Sequence, residues 1–197
     1  MRTGAPATVA LVAAITAAST FILLSGWVEP MAVLGGFIPD RFRGLLLPEE
    51  LGFAVPAWLT PLSATLVHGG PGHLLLNIGV LGFCGAQVEQ ALGGRGVLLL
   101  YVAGAYAAAG AEWLLTDGAL IGASGAISAL VAAFALMAGR RSTGGWTRAG
   151  LLAAGWIAVQ LLIGAIQTGG APIAVGAHIG GFLAGLALTG PLRKRAA

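Results

Sequence analysis

Between Ala7 and Thr189 the chain runs repeatedly for most of twenty residues with hardly an ionisable side chain. A helix rising 1.5 Å per residue needs about 20 apolar residues to cross the ~30 Å hydrocarbon core of a bilayer. Six stretches of roughly that size can be drawn, at residues 7–28, 72–87, 97–115, 120–138, 149–166 and 173–189. Lipid offers no partner for backbone N–H and C=O groups, so such stretches are expected to be helical. Only 9% of the residues are charged, against about 25% in soluble domains. The expectation is an all-α integral membrane protein, a bundle of six transmembrane helices forming one domain over residues 1–197. The 33 glycines fit a bundle whose backbones approach closely. Arg2 and the small residues Ala17-Ala18-Ser19 also allow a secretory signal over the first stretch, but its length favours a retained helix.

The long connection 29–57 holds Pro30, Pro39, Pro48 and Pro56, with Asp40-Arg41-Phe42-Arg43 and Pro48-Glu49-Glu50-Leu51 punctuating apolar pieces too short to span. It is expected to lie in the membrane interface, followed by a re-entrant or partly wound segment from Leu59 to Val67. Arg2, Arg95, Arg140, Arg141, Arg148, Arg193, Lys194 and Arg195 fall on one side of a six-span arrangement, and only Arg41 and Arg43 on the other. The positive-inside rule then puts both termini in the cytoplasm. Glu29, Asp40, Glu49, Glu50, Glu112 and Asp117 collect on the outer side, with Glu89 the exception. Trp27, Trp58 and Trp113 mark outer boundaries and Trp146 an inner one, as interfacial aromatics do. A net charge of +3, scattered between spans, gives no nucleic-acid footprint. Cys84, the one cysteine, can form no internal disulfide or zinc site by itself and reads as a small buried residue.

Polar side chains inside spans are costly and need a reason. Here they are His73 and Asn77 in the second span, Ser124 and Ser128 in the fourth, Gln160 in the fifth and His178 in the sixth. The second, fourth and sixth spans run in the same direction, which brings His73, Ser124 and His178 to one level in the outer half of the bilayer. His73 and Asn77, four apart, share a helical face. Ser124 is then a candidate nucleophile and His178 a candidate base, a serine–histidine pair without an acid. Backbone N–H groups in the first turn of the fourth span, with the helix dipole behind them, could hold an oxyanion, joined by His73 and the Asn77 amide. Gly122 and Gly125 would admit close backbone approach, and Gly181 and Gly185 would let the sixth span press against the fourth.

These residues resemble the rhomboid family of intramembrane serine proteases, in its bacterial-type, six-helix form. Gly122-Ala123-Ser124-Gly125 is similar to the family's Gly-x-Ser-Gly at the start of its fourth core helix. Ala177-His178-Ile179-Gly180-Gly181-Phe182-Leu183-Ala184-Gly185 is similar to its Ala-His-x-x-Gly-x-x-x-Gly on the sixth. His68-Gly69-Gly70-Pro71-Gly72-His73-Leu74-Leu75-Leu76-Asn77 matches its His-x4-His-x3-Asn. The resemblance implies Ser124 as nucleophile, His178 as base, and His73, Asn77 and the Ser124 N–H as the oxyanion hole. It also implies transmembrane proteins as substrates, small residues before the cut, no cofactor or metal, and a bacterial inner membrane with the site opening outward. Two features depart from the family. Trp58 is followed by Leu59, so the Trp-Arg pair common in the first loop is not evident. Ser128 stands where many members carry an aromatic residue that backs the catalytic histidine.

Other readings compete with catalysis. Ser124 and His178 could serve helix packing, and His73 and Asn77 could tether the first loop or cap a helix. His68 reads as structural, Gln160 as an interhelical hydrogen bond, and the Gly-rich segment Gln167 to Pro172 as a cap or a plain connection. At the level of the protein, the alternatives are a non-catalytic relative that binds client helices and a small transporter. No inverted repeat supports the transporter.

Overall fold

The computed structural model describes residues 4–45, 53–115, 117–140, 145–167 and 174–196. Its principal helices are α1 (Pro6–Leu24), α5 (Pro71–Leu115), α6 (Ser124–Arg140), α7 (Gly145–Gln167) and α8 (Val175–Ala196). Between α1 and α5 lie α2 (Val28–Gly35), α3 (Pro39–Phe42) and α4 (Thr60–Ser63), the last flanked by short 3₁₀ turns at Ala57–Leu59 and Ala64–Leu66. The segment 57–66 is therefore wound in pieces. Among the described residues the β pairing is a lone bridge between Phe37 and Leu120.

Three helices, α1, α5 and Val175–Arg193 of α8, are long and apolar enough to cross a membrane, and Ser124–Gly139 and Gly150–Val159 form shorter apolar helices. Where two spans and a connecting loop are expected over 72–115, the chain stays helical throughout, broken at Gly93 alone. A straight helix of 45 residues would run about 68 Å, more than twice the bilayer core. Gly93 divides it by taking φ 73°, ψ 169°, which a side chain would strain. The first helix ends at Leu24, short of residue 28, because Ser25 and Gly26 (φ 71°) turn the chain into α2.

The α6 helix occupies the centre. Ala126, Ile127, Ser128, Ala129, Leu130, Ala132 and Ala133 are all essentially inaccessible, so α6 buries every face over its first three turns. It packs on α5, α7 and α8, while α1 packs on α5. Only one stripe of α1 is covered, Thr8, Ile15, Ser19 and Ile22, and Phe21 and Leu24 stand free. Large apolar side chains left open on a helix suit lipid and would be a liability in water. A cleft of about 400 Å³, lined by Phe83, Phe134, Leu152 and Trp156 among others, opens between the first half of α5 and α7. Cys84 is buried and unpaired.

One end of the bundle gathers the starts of α5, α6 and α8. His73 lies against Gly122, and Glu112, near the end of α5, lies against Gly176. At the opposite end Glu89, read from sequence as an outlier, is buried and caps α1. Its carboxylate accepts from Ala7 N at 3.0 Å, Thr8 N at 2.8 Å and Thr8 Oγ1 at 2.7 Å.

The first loop is clasped to the segment before α6. Phe37 and Leu120 exchange N–H···O bonds of 3.0 and 2.8 Å, and Gly122 N donates to Ala64 O at 2.8 Å. Arg43 grips Asp117 with two nitrogens at 2.8 and 2.7 Å, contacts Asp40 at 3.0 Å, and lies over the Trp113 ring. Arg41 reaches inward to the carbonyls of Leu34 and Val55. These contacts anchor the loop where the Trp-Arg pair is missing, and Trp58 joins through its carbonyl, which accepts from Tyr106 Oη at 2.9 Å.

Candidate active site

The α6 helix begins at Ser124 itself, four residues later than the apolar run suggests. The bridge at Leu120 holds the preceding backbone extended, and Gly122 turns it with φ 102°. Its helical ladder opens with Ile127 N–H on the Ala123 carbonyl at 2.9 Å. The N–H groups of Ser124, Gly125 and Ala126 precede that ladder and have no carbonyl one turn back within α6.

Ser124 Oγ lies 2.8 Å from His178 Nε2. Both side chains are 8% exposed, so the contact sits in a low-dielectric, nearly closed place. Glycine makes this reach possible. A methyl group on Gly181 would collide with the Gly125 carbonyl oxygen, and one on Gly185 with that of Ala129. On the other flank, a methyl on Gly125 would meet Ala108 Cβ at 2.5 Å. The α6 and α8 backbones therefore touch at two points one turn apart, and α8 carries His178 into bonding distance.

His73 stands over Gly122, where an added Cβ would fall 2.6 Å from its Cε1 and 2.8 Å from its Nε2. Gly122 is thus required twice, by its φ and by the imidazole above it. Asn77 is buried one turn further on, and its Nδ2 donates to the His73 carbonyl at 2.8 Å. That uses one of its two amide hydrogens, and Oδ1 has no partner among the described residues. His68 is fully buried and its ring meets that of His73 edge-on at 4.9 Å. Ser19 donates its hydroxyl proton to Leu66 O at 2.7 Å, leaving His68 Nδ1–H to donate to Ser19 Oγ at 2.8 Å. Burial, with the nearby His73 second, pushes the His68 imidazole down to about 3. His68 is neutral and ties α1 to the start of α5.

A cavity of about 20 Å³ lies beside Ser124, lined by Ala64, Thr65, Ile121, Gly122 and Ala177 among others. One water needs about 10–15 Å³ of such space.

Three residues take places here that their sequence positions alone do not indicate. Glu112, one of the acidic residues expected on the outer side, is buried. Its Oε2 accepts from Ala177 N at 2.9 Å, in the first turn of α8 and next to His178. The signal was available, since Glu112 falls inside an apolar span, where a carboxylate is costly. Ser128 has a defined place: its hydroxyl donates to the Ser124 carbonyl at 2.8 Å, and Trp156 Nε1 donates to it at 2.8 Å. Trp156 gave no signal, because one aromatic in an apolar helix is ordinary. The expectations for Gln167 to Pro172 as a cap, and for the Gln160 and Trp146 side chains, fall outside the described residues or side chains. Among the described residues no cluster of His, Cys, Asp or Glu could hold a metal ion.

A family model described as the Rhomboid domain matches residues 56–195, which takes in His73, Asn77, Ser124 and His178. No curated protein matches the chain.

Proposed function

The chain belongs to the rhomboid family of integral membrane proteins, and from that premise we propose that it is an intramembrane serine endopeptidase. The reaction is hydrolysis of peptide bonds in or beside transmembrane segments of other membrane proteins. The observation that carries this reading is the buried 2.8 Å contact between Ser124 Oγ and His178 Nε2.

In this reading His178 takes the Ser124 proton as Oγ attacks the substrate carbonyl carbon, then gives it to the departing amine. The acyl-enzyme is released by a water that His178 deprotonates in turn. The Ser124 N–H, the His73 ring and the free Asn77 amide hydrogen hold the oxyanion, each donor contributing about 3 kcal/mol to the transition state. Asn77 bonds His73 through its carbonyl, and among the described residues the His73 ring has no hydrogen bond that would compete for this task. The proposed orientation follows the positive-inside rule, with both termini cytoplasmic and the site opening on the outer side in six spans. The 20 Å³ cavity beside Ser124 supports a place for the hydrolytic water.

The test is cleavage of a single-pass reporter, with small residues at the outer end of its helix, in proteoliposomes. The wild type should cut it, and Ser124→Ala and His178→Ala should each lower the rate at least a thousandfold. Cleavage by purified Ser124→Ala protein at the wild-type rate would overturn the assignment.

A further inference from the structure

We propose that Trp156 is a positioning residue for the nucleophile, acting through Ser128; this role rests on the protease reading above. The indole is 6% exposed and comes from α7, which carries neither member of the Ser124–His178 pair. A buried indole N–H needs an acceptor, and this one donates to Ser128 Oγ at 2.8 Å. Ser128 has one hydroxyl proton, and it goes to the Ser124 carbonyl at 2.8 Å. The direction of the chain is thereby fixed, from Trp156 N–H to the Ser128 hydroxyl to the Ser124 C=O.

The last acceptor matters most. The Ser124 carbonyl belongs to the same peptide group as the Gly125 N–H, one of the first-turn donors of α6. Hydrogen bonds in series polarise one another, so Trp156 strengthens that donor and fixes the peptide from which the Ser124 side chain projects. Ser128 also lies beneath the pair, since a methyl on Gly181, one turn beyond His178, would sit 3.3 Å from Ser128 Cβ. The small hydroxyl leaves room for Gly181 and borrows its support from α7.

The test compares wild type, Trp156→Phe, Ser128→Ala and the double variant in labelling by a fluorophosphonate. Trp156→Phe keeps the ring and loses only the N–H. The maximal labelling rate should fall about 3- to 20-fold, the range carried by one interhelical hydrogen bond in a membrane protein. The half-saturating probe concentration should stay near wild type, and the melting temperature should fall by only about 2–4 °C. Ser128→Ala should give a similar loss, and the double variant no more than the larger single loss. Losses that multiply, or a wild-type rate in Trp156→Phe, overturn the role. The indole proton resonance of Trp156 reports on the bond without chemistry: Ser128→Ala must move it, and an unmoved resonance overturns the proposal. An unlabelled wild type would instead remove the protease reading, and this role with it.

Discussion

The helices α7 and α8 both flank the central α6, and they do so by opposite means. α8 is pressed against α6 backbone to backbone, with Gly181 and Gly185 lying where any side chain would strike a carbonyl oxygen. α7 meets α6 through side chains and has a single described side chain in the buried set, Trp156. Gly150 and Gly155 on α7 have open space around them, and a 400 Å³ cleft lies along the same helix. Glycine has a different meaning in each. On α8 it sets the distance between Ser124 and His178, and on α7 it is incidental. Without a hydrophobic drive between helices in lipid, close packing and interhelical hydrogen bonds decide which pairs are held rigidly. The pair proposed to do the chemistry is on the tight side.

This contrast can be broken by adding one methyl group to each helix. Gly181→Ala should have the largest effect of such changes. Neither backbone can yield locally, so overpacking should cost about 1–3 kcal/mol or more and move His178 out of reach of Ser124. Reporter cleavage should fall at least a hundredfold, and intact cleavage would mean that α8 is not fixed by this contact.

Glu112→Ala should come next, because it removes the carboxylate that accepts from the buried Ala177 N–H, a loss of about 1–3 kcal/mol for a buried donor. Glu112→Gln keeps an acceptor oxygen and should recover most of the melting temperature and activity. Failure of that rescue would mean that the charge, rather than the hydrogen bond, holds the start of α8.

A smaller effect concerns His68, at the junction of α1 and α5. The folded protein keeps it neutral, with a pKa near 3, whereas an unfolded imidazole protonates near 6.5. Between those values the unfolded chain binds the extra proton. The stabilising contribution is therefore complete above about pH 6.5 and is lost progressively as pH falls toward 3. Melting in detergent as a function of pH should show this slope, and His68→Gln should make it shallower. An identical slope in the variant would remove the prediction.

Gly155→Ala completes the comparison as the smallest change. It should leave activity within twofold and stabilise α7 slightly, since alanine favours a helix by up to about 1 kcal/mol over glycine. A loss comparable to that of Gly181→Ala would erase the distinction between the two helices.

How much of this could be read beforehand follows the same division. Apolar runs mark the helices because lipid leaves the backbone no other choice, and Ser124, His178 and His73 fall at one level because three runs point the same way. The small-residue spacing on α8 was legible for the same reason, since Gly181 and Gly185 are four apart on one face. Contacts formed by single side chains at long range were not. The acceptor for Trp156 lies 28 residues away, and the donor to Glu112 lies 65 residues away. No local periodicity records either. The absence of a loop between the halves of α5 was hidden too, because a lone glycine with positive φ can end one helix and begin the next.

The central claim is that Ser124, activated by His178, is a nucleophile. Fluorophosphonate labelling of the folded protein in detergent, with the modified residue located by mass spectrometry, tests it without knowledge of the substrate. The account predicts a covalent adduct on Ser124 in the wild type, none in Ser124→Ala, and labelling slowed at least a hundredfold in His178→Ala. Equal labelling of wild type and Ser124→Ala, or an adduct on another serine, would contradict it.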